Sequence, residues 1–214
     1  MSYGFDESIS QPSGSSVMSP GINENVKLIN VVYEPSKSDG TGDMVLRFNF
    51  EDANGLKFSH VEWAIDEQRE LANARNWGKD PKEHVQGRYA AQSERIFHIL
   101  TTFVPREVLI KSVGKTNSFA SFCEALIGAL GNAHVGKLVR IKVILNKKDY
   151  LTFPNRAIKP FIQIMDAPNT LAIDSRYERI ERMTPTEEES MGAAWDEQTP
   201  AAAAFTGGSD EPEW

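Results

Sequence analysis

The strongest constraint on the fold is a run of alternating residues that leads into an Asn-Gly pair. Across residues 44–50 the side chains at 44, 46, 48 and 50 are apolar and share one side, with Arg47 and Asn49 on the other. This alternation is typical of a half-buried strand. Asn54-Gly55 then precedes a second β-rich run over residues 56–65, and Asn-Gly between two strands is a strong hairpin signal. With residues 26–33, the pattern predicts a three-stranded antiparallel meander.

The middle of the chain has a different periodicity. Residues 66–77 have a helical pattern, and residues 118–130 place apolar side chains at helical spacing between a potential N-cap, Ser118, and a stop at Gly131. Residues 93–104 also fit a helix, with a strand as the alternative. Strand-like runs follow at 137–145 and 150–153, and a short one at 161–165. The sequence therefore predicts a mainly β protein with a helical insertion at about 66–131.

This order of elements matches an OB-like fold, a five-stranded antiparallel Greek-key barrel that binds oligonucleotides. Small mixed α+β folds share the same order. We expect a flexible N-terminal arm at residues 1–22, a nucleic-acid-binding domain at 23–166 and a disordered acidic tail at 167–214, because both flanking segments are poor in apolar residues.

The net charge of −7 is unevenly distributed. Residues 22–166 carry twenty Lys and Arg against seventeen Asp and Glu, a net of +3, whereas residues 167–214 carry three bases against eleven acids, a net of −8. The acidity is thus a property of the tail, and the body is compatible with a polyanionic partner.

The body concentrates its bases around one predicted hairpin. Along residues 137–145 one parity is apolar and the other carries Arg140 and Lys142, and the tip of the hairpin adds Lys147 and Lys148 next to Tyr150. Cations that track phosphates, combined with aromatic faces on which bases stack, are what single-stranded nucleic acid requires. We therefore expect phosphate contacts from the cations and base stacking by the aromatic residues of this surface: Lys137, Arg140, Lys142, Lys147, Lys148, Tyr150 and Phe153. The alternative is a solvated strand face with Phe153 in the core.

Other residues of the body extend this prediction. Arg47 and Lys57 lie on the predicted second and third strands, where an OB barrel presents its binding face. Trp77 lies where the helical pattern ends, between cationic residues. It either stacks on a base or packs half-buried against the barrel. Trp63 shares its parity with Val61 and Ile65, and we expect it in the core.

The tail ends in acidic residues and an aromatic one. The terminal Asp210, Glu211, Pro212, Glu213 and Trp214 predict a segment that docks into an apolar pocket ringed by Lys or Arg on a partner protein.

A basic OB-like body with an acidic C-terminus closed by an aromatic residue resembles the replication single-stranded DNA-binding proteins, particularly those of bacteriophages. The resemblance implies coating of single strands in replication, recombination and repair, and a tip, residues 210–214, that recruits replication or recombination proteins. The bacterial members usually end in Phe, so Trp214 departs from them. Homo-oligomerisation, and a choice between single-stranded DNA and RNA, remain open.

Enzymatic motifs are incomplete. Gly114-Lys115-Thr116 resembles the end of a P-loop, but Leu109 stands where the first glycine is needed. Glu51, Asp52 and Glu62 are the candidates for a metal-dependent nuclease site, and we expect no catalysis, metal or cofactor. The single Cys123 lies on an apolar helical stripe, which predicts a core position.

We expect a cytoplasmic protein, because neither a secretion signal nor a membrane-spanning run is present in the sequence. The main alternative function is a protein-interaction adaptor or recombination mediator that does not bind DNA directly. A virion structural protein is a third possibility.

Overall fold

The computed structural model describes residues 16–36, 42–114, 116–155 and 159–182. These form an open antiparallel sheet of six strands, with four helices inserted between the third and fourth strands. The strands are β1 (Gly21–Pro35), β2 (Met44–Glu51), β3 (Lys57–Trp63), β4 (Val139–Leu145), β5 (Leu151–Thr152) and β6 (Ile162–Ile164). The helices are α1 (Glu67–Asn76), α2 (Pro81–Thr101), α3 (Arg106–Val113) and α4 (Phe119–Leu130).

The predicted meander is confirmed. β2 pairs with β3 across the turn that contains Asn54-Gly55, and the Asp52 carboxylate accepts hydrogen bonds from the backbone N–H groups of Asn54 and Leu56, both at 2.8 Å. Gly55 adopts a φ of 78°, the left-handed conformation that glycine tolerates without a Cβ penalty. The turn therefore determines the β2–β3 register, which pairs Phe50 with Phe58.

β1 is long because it pairs with two different strands. Its first half pairs with β4 from Gly21 to Val26, and its second half pairs with β2 from Lys27 to Pro35. The register shifts between Asn23 and Val26, where Asn25 has a φ of 55°, a conformation more common for Asn than for most residues. The resulting strand order is β3-β2-β1-β4-β5, and β6 pairs off this path with residues 139–141 of β4.

The closed barrel that we predicted is not observed. No ladder of hydrogen bonds joins β3 to β5 in the described part of the chain, so the sheet is open. Phe153, which directly follows β5, nevertheless packs against Phe58 of β3 with ring centroids 5.0 Å apart. Side-chain packing, not backbone pairing, thus brings the two ends of the strand path together.

Each predicted helix is present, and α3 is additional. Asp66, Asp80 and Ser118 cap the N-termini of α1, α2 and α4 with their side chains. Residues 93–104, for which a strand was the alternative, are mostly the C-terminal half of α2. The core combines apolar residues of the strands with Ile96, Ile99, Leu109, Cys123 and Leu126 from the helices, and the prediction that Cys123 is a core residue is confirmed.

Both boundaries of the central domain differ from the prediction. Met18, assigned to the arm, is buried, and its backbone N–H donates to the carbonyl of Lys57. Residues 167–180, assigned to the tail, belong to the same compact unit as the strands, and Leu171 and Glu178 are buried. The second unit is Glu181–Trp214, of which only residues 181 and 182 are described. The remaining arm and tail residues lie outside the described ranges.

Candidate functional site

A groove crosses the outer face of β1, β2 and β3. Its volume is about 940 Å³, and one wall is the hairpin formed by β4 and β5. Arg47 and Asn49 of β2, with Ser59 and Trp63 of β3, contribute to its lining, and Tyr150 contributes from the hairpin. We call this surface the sheet groove.

The floor of the sheet groove carries a ladder of polar side chains across three strands. The Asn49 amide donates to Asn30 Oδ1 at 2.6 Å, and the Ser59 hydroxyl donates to Asn49 Oδ1 at 2.7 Å. Beside this ladder, Arg47 Nε donates to Glu34 Oε1 at 2.7 Å. These exposed and half-buried groups present hydrogen-bond donors and acceptors to any ligand in the groove.

The hairpin wall is held in one conformation by its own turn. Asn146 Oδ1 accepts from the backbone N–H groups of Lys148, at 2.8 Å, and Tyr150, at 3.0 Å. Asp149, with a φ of 58°, pairs with Arg179 at 2.5 Å. Lys147, Lys148 and Tyr150 are exposed on this turn, and Tyr150 is 66% exposed. Tyr150 therefore lines the groove from a turn that also exposes two lysines.

Trp63 is the main residue that the sequence interpretation misplaced. It is 36% exposed and lines the sheet groove, although its parity with Val61 suggested a core position. The hairpin register contains the signal that could have located it. Directly paired residues of antiparallel strands share a face, so the inward Phe48 and Phe50 require His60 and Phe58 to face inward as well. Trp63, three residues after His60, therefore faces outward.

Two predicted DNA contacts are buried. Phe153 is completely buried and packs against Phe50, Phe58 and Phe161, so it does not present a ring for stacking. Lys142 is also completely buried; its ammonium group donates to Glu178 at 2.5 Å and to the carbonyl of Ala172 at 2.9 Å. Lys142 is covered by the chain that follows β6 and Phe153 by other aromatic rings, so neither of these predicted contacts is accessible to a ligand.

The other predicted cations are dispersed. Arg140 Nε pairs with Glu24 at 3.0 Å, and its Nη1 donates to the carbonyl of Ala167. Lys137 is exposed, and its ammonium group donates to the carbonyl of Phe103 at 2.8 Å. Lys57 is exposed at the start of β3. None of these three lines the sheet groove; of the predicted contacts, Arg47 and Tyr150 do, whereas Lys147 and Lys148 are exposed on the turn that carries Tyr150.

Trp77 lies apart from the sheet groove, at the C-terminus of α1. It is 56% exposed, its ring meets His84 edge to face at 5.6 Å, and Lys79 lies 5.3 Å from its centroid. The tail residues Asp210, Glu211, Pro212, Glu213 and Trp214 lie outside the described ranges.

Beneath the sheet groove, Glu62 forms a buried charge network. Its carboxylate accepts from Arg95 Nε at 2.7 Å and Nη2 at 2.9 Å, and His60 Nε2 lies 3.0 Å away. Burial alone would raise the pKa of Glu62, but the hydrogen bonds from His60 and Arg95 outweigh it and lower the pKa to about 2. The network attaches α2 to the β3 strand that carries Trp63.

The carboxylates considered for a nuclease site do not converge. Asp52 is in the β2–β3 turn, whereas Glu62 pairs with Leu46 at the opposite end of the hairpin. Across the described ranges, no group of three or more His, Cys, Asp or Glu side chains is arranged to hold a metal ion. No helix in those ranges is long and apolar enough to cross a membrane.

A scan against protein-family models, a search of curated proteins and a search of solved structures each returned no match for this chain.

Proposed function

We propose that the protein binds single-stranded nucleic acid, with DNA as the expected form, in the sheet groove. The observation that carries this proposal is the combination of Trp63 and Tyr150 in one groove, with two exposed lysines on the turn that carries Tyr150. Aromatic faces stack on bases of any sequence, and cations neutralise the phosphates between them. The protein would thus coat single strands with little sequence preference, as replication and recombination require.

The strand order supports an OB-like barrel as the finer description of the fold. The long first strand is shared between β2 and β4, and Phe153 packs the β5 end against Phe58 and His60 of β3. In OB folds the face of strands 2 and 3, with the loop between strands 4 and 5, binds oligonucleotides. The position of the sheet groove, on β2 and β3 with Tyr150 in its lining, supports this description.

The acidic tail has a separate role in this proposal. Residues 183–214 contain eight acids and neither Lys nor Arg, and they end in Trp214. We assign them the recruitment of replication or recombination proteins, on the resemblance of residues 210–214 to the tips of such binding proteins.

The deciding experiment measures the fluorescence anisotropy of a labelled oligo-dT of about 30 nucleotides. This length exceeds the roughly 4–16 nucleotides that one OB fold occupies. The full chain should bind it more tightly than matched duplex DNA, and log affinity should fall with log salt at a slope of about −0.7 per phosphate contacted. Matched RNA tests the preference for DNA. Absence of binding at low salt would overturn the proposal.

Two variants, Trp63→Ala and Tyr150→Ala, test in the same experiment whether the oligonucleotide binds in the sheet groove. Each should weaken binding by about 1–3 kcal/mol, because one stacked base is lost. Tyr177→Ala is the matched control, since Tyr177 is 81% exposed but lies outside the sheet groove. Equal losses in all three variants, or no loss in the first two, would place binding elsewhere.

A protein-interaction adaptor is the second candidate, and one observation favours it. A largely apolar cavity of about 400 Å³ lies between α2, α3 and α4, and Phe97, Leu109 and Phe122 contribute to its walls. Such a cavity suits an apolar side chain of a partner protein better than a nucleotide. If this is the function, the protein binds none of the oligonucleotides, and groove variants leave partner binding unchanged.

A further inference from the structure

The outer edge of β3, on the side away from β2, is bonded at the start of the strand. There the backbone N–H of Lys57 donates to the carbonyl of Ser16 at 2.9 Å, and the carbonyl of Lys57 accepts from the N–H of Met18 at 3.0 Å. The backbone groups of Lys57 therefore point away from β2, and in an antiparallel strand every second residue points the same way. Ser59 and Val61 thus direct their N–H and C=O groups to this outer edge as well.

In the part of the chain that the structure describes, these outward backbone groups of Ser59 and Val61 have no hydrogen-bond partner. The next outward residue, Trp63, ends the open stretch, because its carbonyl accepts from Gln92 Nε2 at 2.7 Å. Both open residues line the sheet groove, Ser59 as an exposed residue and Val61 as a half-buried one. We call Ser59 and Val61 the open edge; it borders the groove with two backbone donors and two backbone acceptors.

The sheet groove itself is close to neutral. Among the described residues that line it, Glu34 is the only acid and Arg47 the only Lys or Arg, and the two side chains pair at 2.7 Å. The polar ladder from Asn30 to Ser59 is uncharged. A neutral groove with hydrogen-bonding groups and aromatic rings suits the bases of a strand, so we place the bases in the groove and the phosphates outside it.

Nucleobases and extended peptides both carry groups that can pair with the open edge. A peptide that joins a sheet forms main-chain hydrogen bonds along several residues, and strands are usually about five or six residues long. The open edge has two residues, because Lys57 is bonded on one side of it and Trp63 on the other. Trp63 and Tyr150 also line the groove, and their rings suit stacking on bases. The observations therefore favour bases over a peptide.

We propose that the open edge pairs with the Watson–Crick edges of bases in the sheet groove, through the backbone N–H and C=O groups of Ser59 and Val61. This inference rests on the proposed function and deepens it by naming what the groove recognises. Every base carries a donor next to an acceptor on its Watson–Crick edge, so the contact is compatible with any sequence. In duplex DNA those groups are bonded to the opposite strand, so the open edge selects single strands.

The test compares three labelled single strands of about 30 nucleotides, longer than one OB fold occupies: oligo-dT, its N3-methylthymidine counterpart and oligo-deoxyuridine. N3-methylation removes the donor of the Watson–Crick edge but keeps the aromatic ring and the phosphates. The native chain should bind the N3-methylated strand about tenfold or more weakly than oligo-dT, because hydrogen bonds to two bases are lost. Oligo-deoxyuridine lacks the methyl group at C5, on the major-groove edge, and should bind within about fourfold of oligo-dT.

Val61→Pro tests the open edge from the side of the protein. Proline lacks an N–H, and because the N–H of Val61 points away from β2, the β2–β3 ladder keeps its hydrogen bonds. Val61→Ala is the matched control, since it shortens the same side chain and retains the N–H. The tenfold ratio between oligo-dT and the N3-methylated strand should fall to about threefold in Val61→Pro and persist in Val61→Ala. Each ratio compares two ligands on one protein, so a general loss of affinity cancels.

The outcomes separate this inference from the function on which it rests. Equal affinity of the native chain for oligo-dT and the N3-methylated strand would overturn the inference, keep the sheet groove as a stacking site and leave the open edge to an extended peptide. An unchanged ratio in Val61→Pro, or the same fall in Val61→Ala, would also overturn it. If Val61→Pro does not fold, the three strands on the native chain still decide. If the native chain binds none of them, the proposed function itself fails.

Discussion

The outward-facing side chains of β3 border an open groove, whereas those of β4 lie beneath the chain that follows β6. Ser59, Val61 and Trp63 line the groove or its walls. On β4, by contrast, Arg140 and Lys142 donate to carbonyl groups of residues 167 and 172. Both strands alternate in sequence, so alternation identifies two faces of a strand without identifying which face remains in solvent.

The difference also separates two kinds of cation. Lys142 is a structural residue whose charge is neutralised by Glu178 inside the protein. Lys148, six residues later, is exposed on the hairpin turn and available to a ligand. The physical distinction is desolvation, because a buried charge requires a partner and an exposed one does not.

Lys142→Ala gives the largest expected effect. It removes the partner of a buried carboxylate, so the free energy of unfolding in urea should fall by about 5 kcal/mol. Lys148→Ala, the matched control, should change it by less than about 0.5 kcal/mol. Replacing both partners, as Lys142→Met with Glu178→Leu, should restore most of the loss. Equal effects of Lys142→Ala and Lys148→Ala would contradict the distinction between a buried and an exposed lysine.

Phe153→Ala tests the same contrast with aromatic residues. The ring is enclosed by other aromatic rings, so its removal should lower the free energy of unfolding by about 4 kcal/mol. Tyr150→Ala should cost less than about 1 kcal/mol, since its ring is mostly exposed. Denaturant unfolding of both variants checks this, and a stable Phe153→Ala protein would contradict the burial.

Acidification should have a smaller effect on the free energy of unfolding, confined to a narrow range of pH. The pKa of Glu62 is lowered from 4.5 to about 2 in the folded protein, so its contribution to stability is complete above pH 4.5 and is lost as the pH falls toward 2. That contribution is on the order of 3 kcal/mol. Between pH 5 and 2, Glu62→Gln should lose less stability than the native chain. Parallel stability curves for the two proteins would show that the network is not formed.

Much of the architecture is predictable from local signals. The Asn54-Gly55 turn, the side-chain cap at Ser118 and the apolar periodicity of α4 each depend on residues close together in the chain. Those elements are confirmed in the structure. The exposed turn at Lys147 and Lys148 is likewise a local feature, and it is the part of the predicted binding surface that borders the groove.

What the sequence by itself determined was therefore the order and type of most of the elements, α3 excepted, together with an acidic C-terminus whose charge is set by composition alone. Only the tertiary structure decided that residues 167–180 cover β4, that Trp63 faces outward and that β3 and β5 approach each other through Phe153. These outcomes depend on contacts between residues far apart in sequence, because burial is determined by what packs on a strand and not by the strand's own pattern.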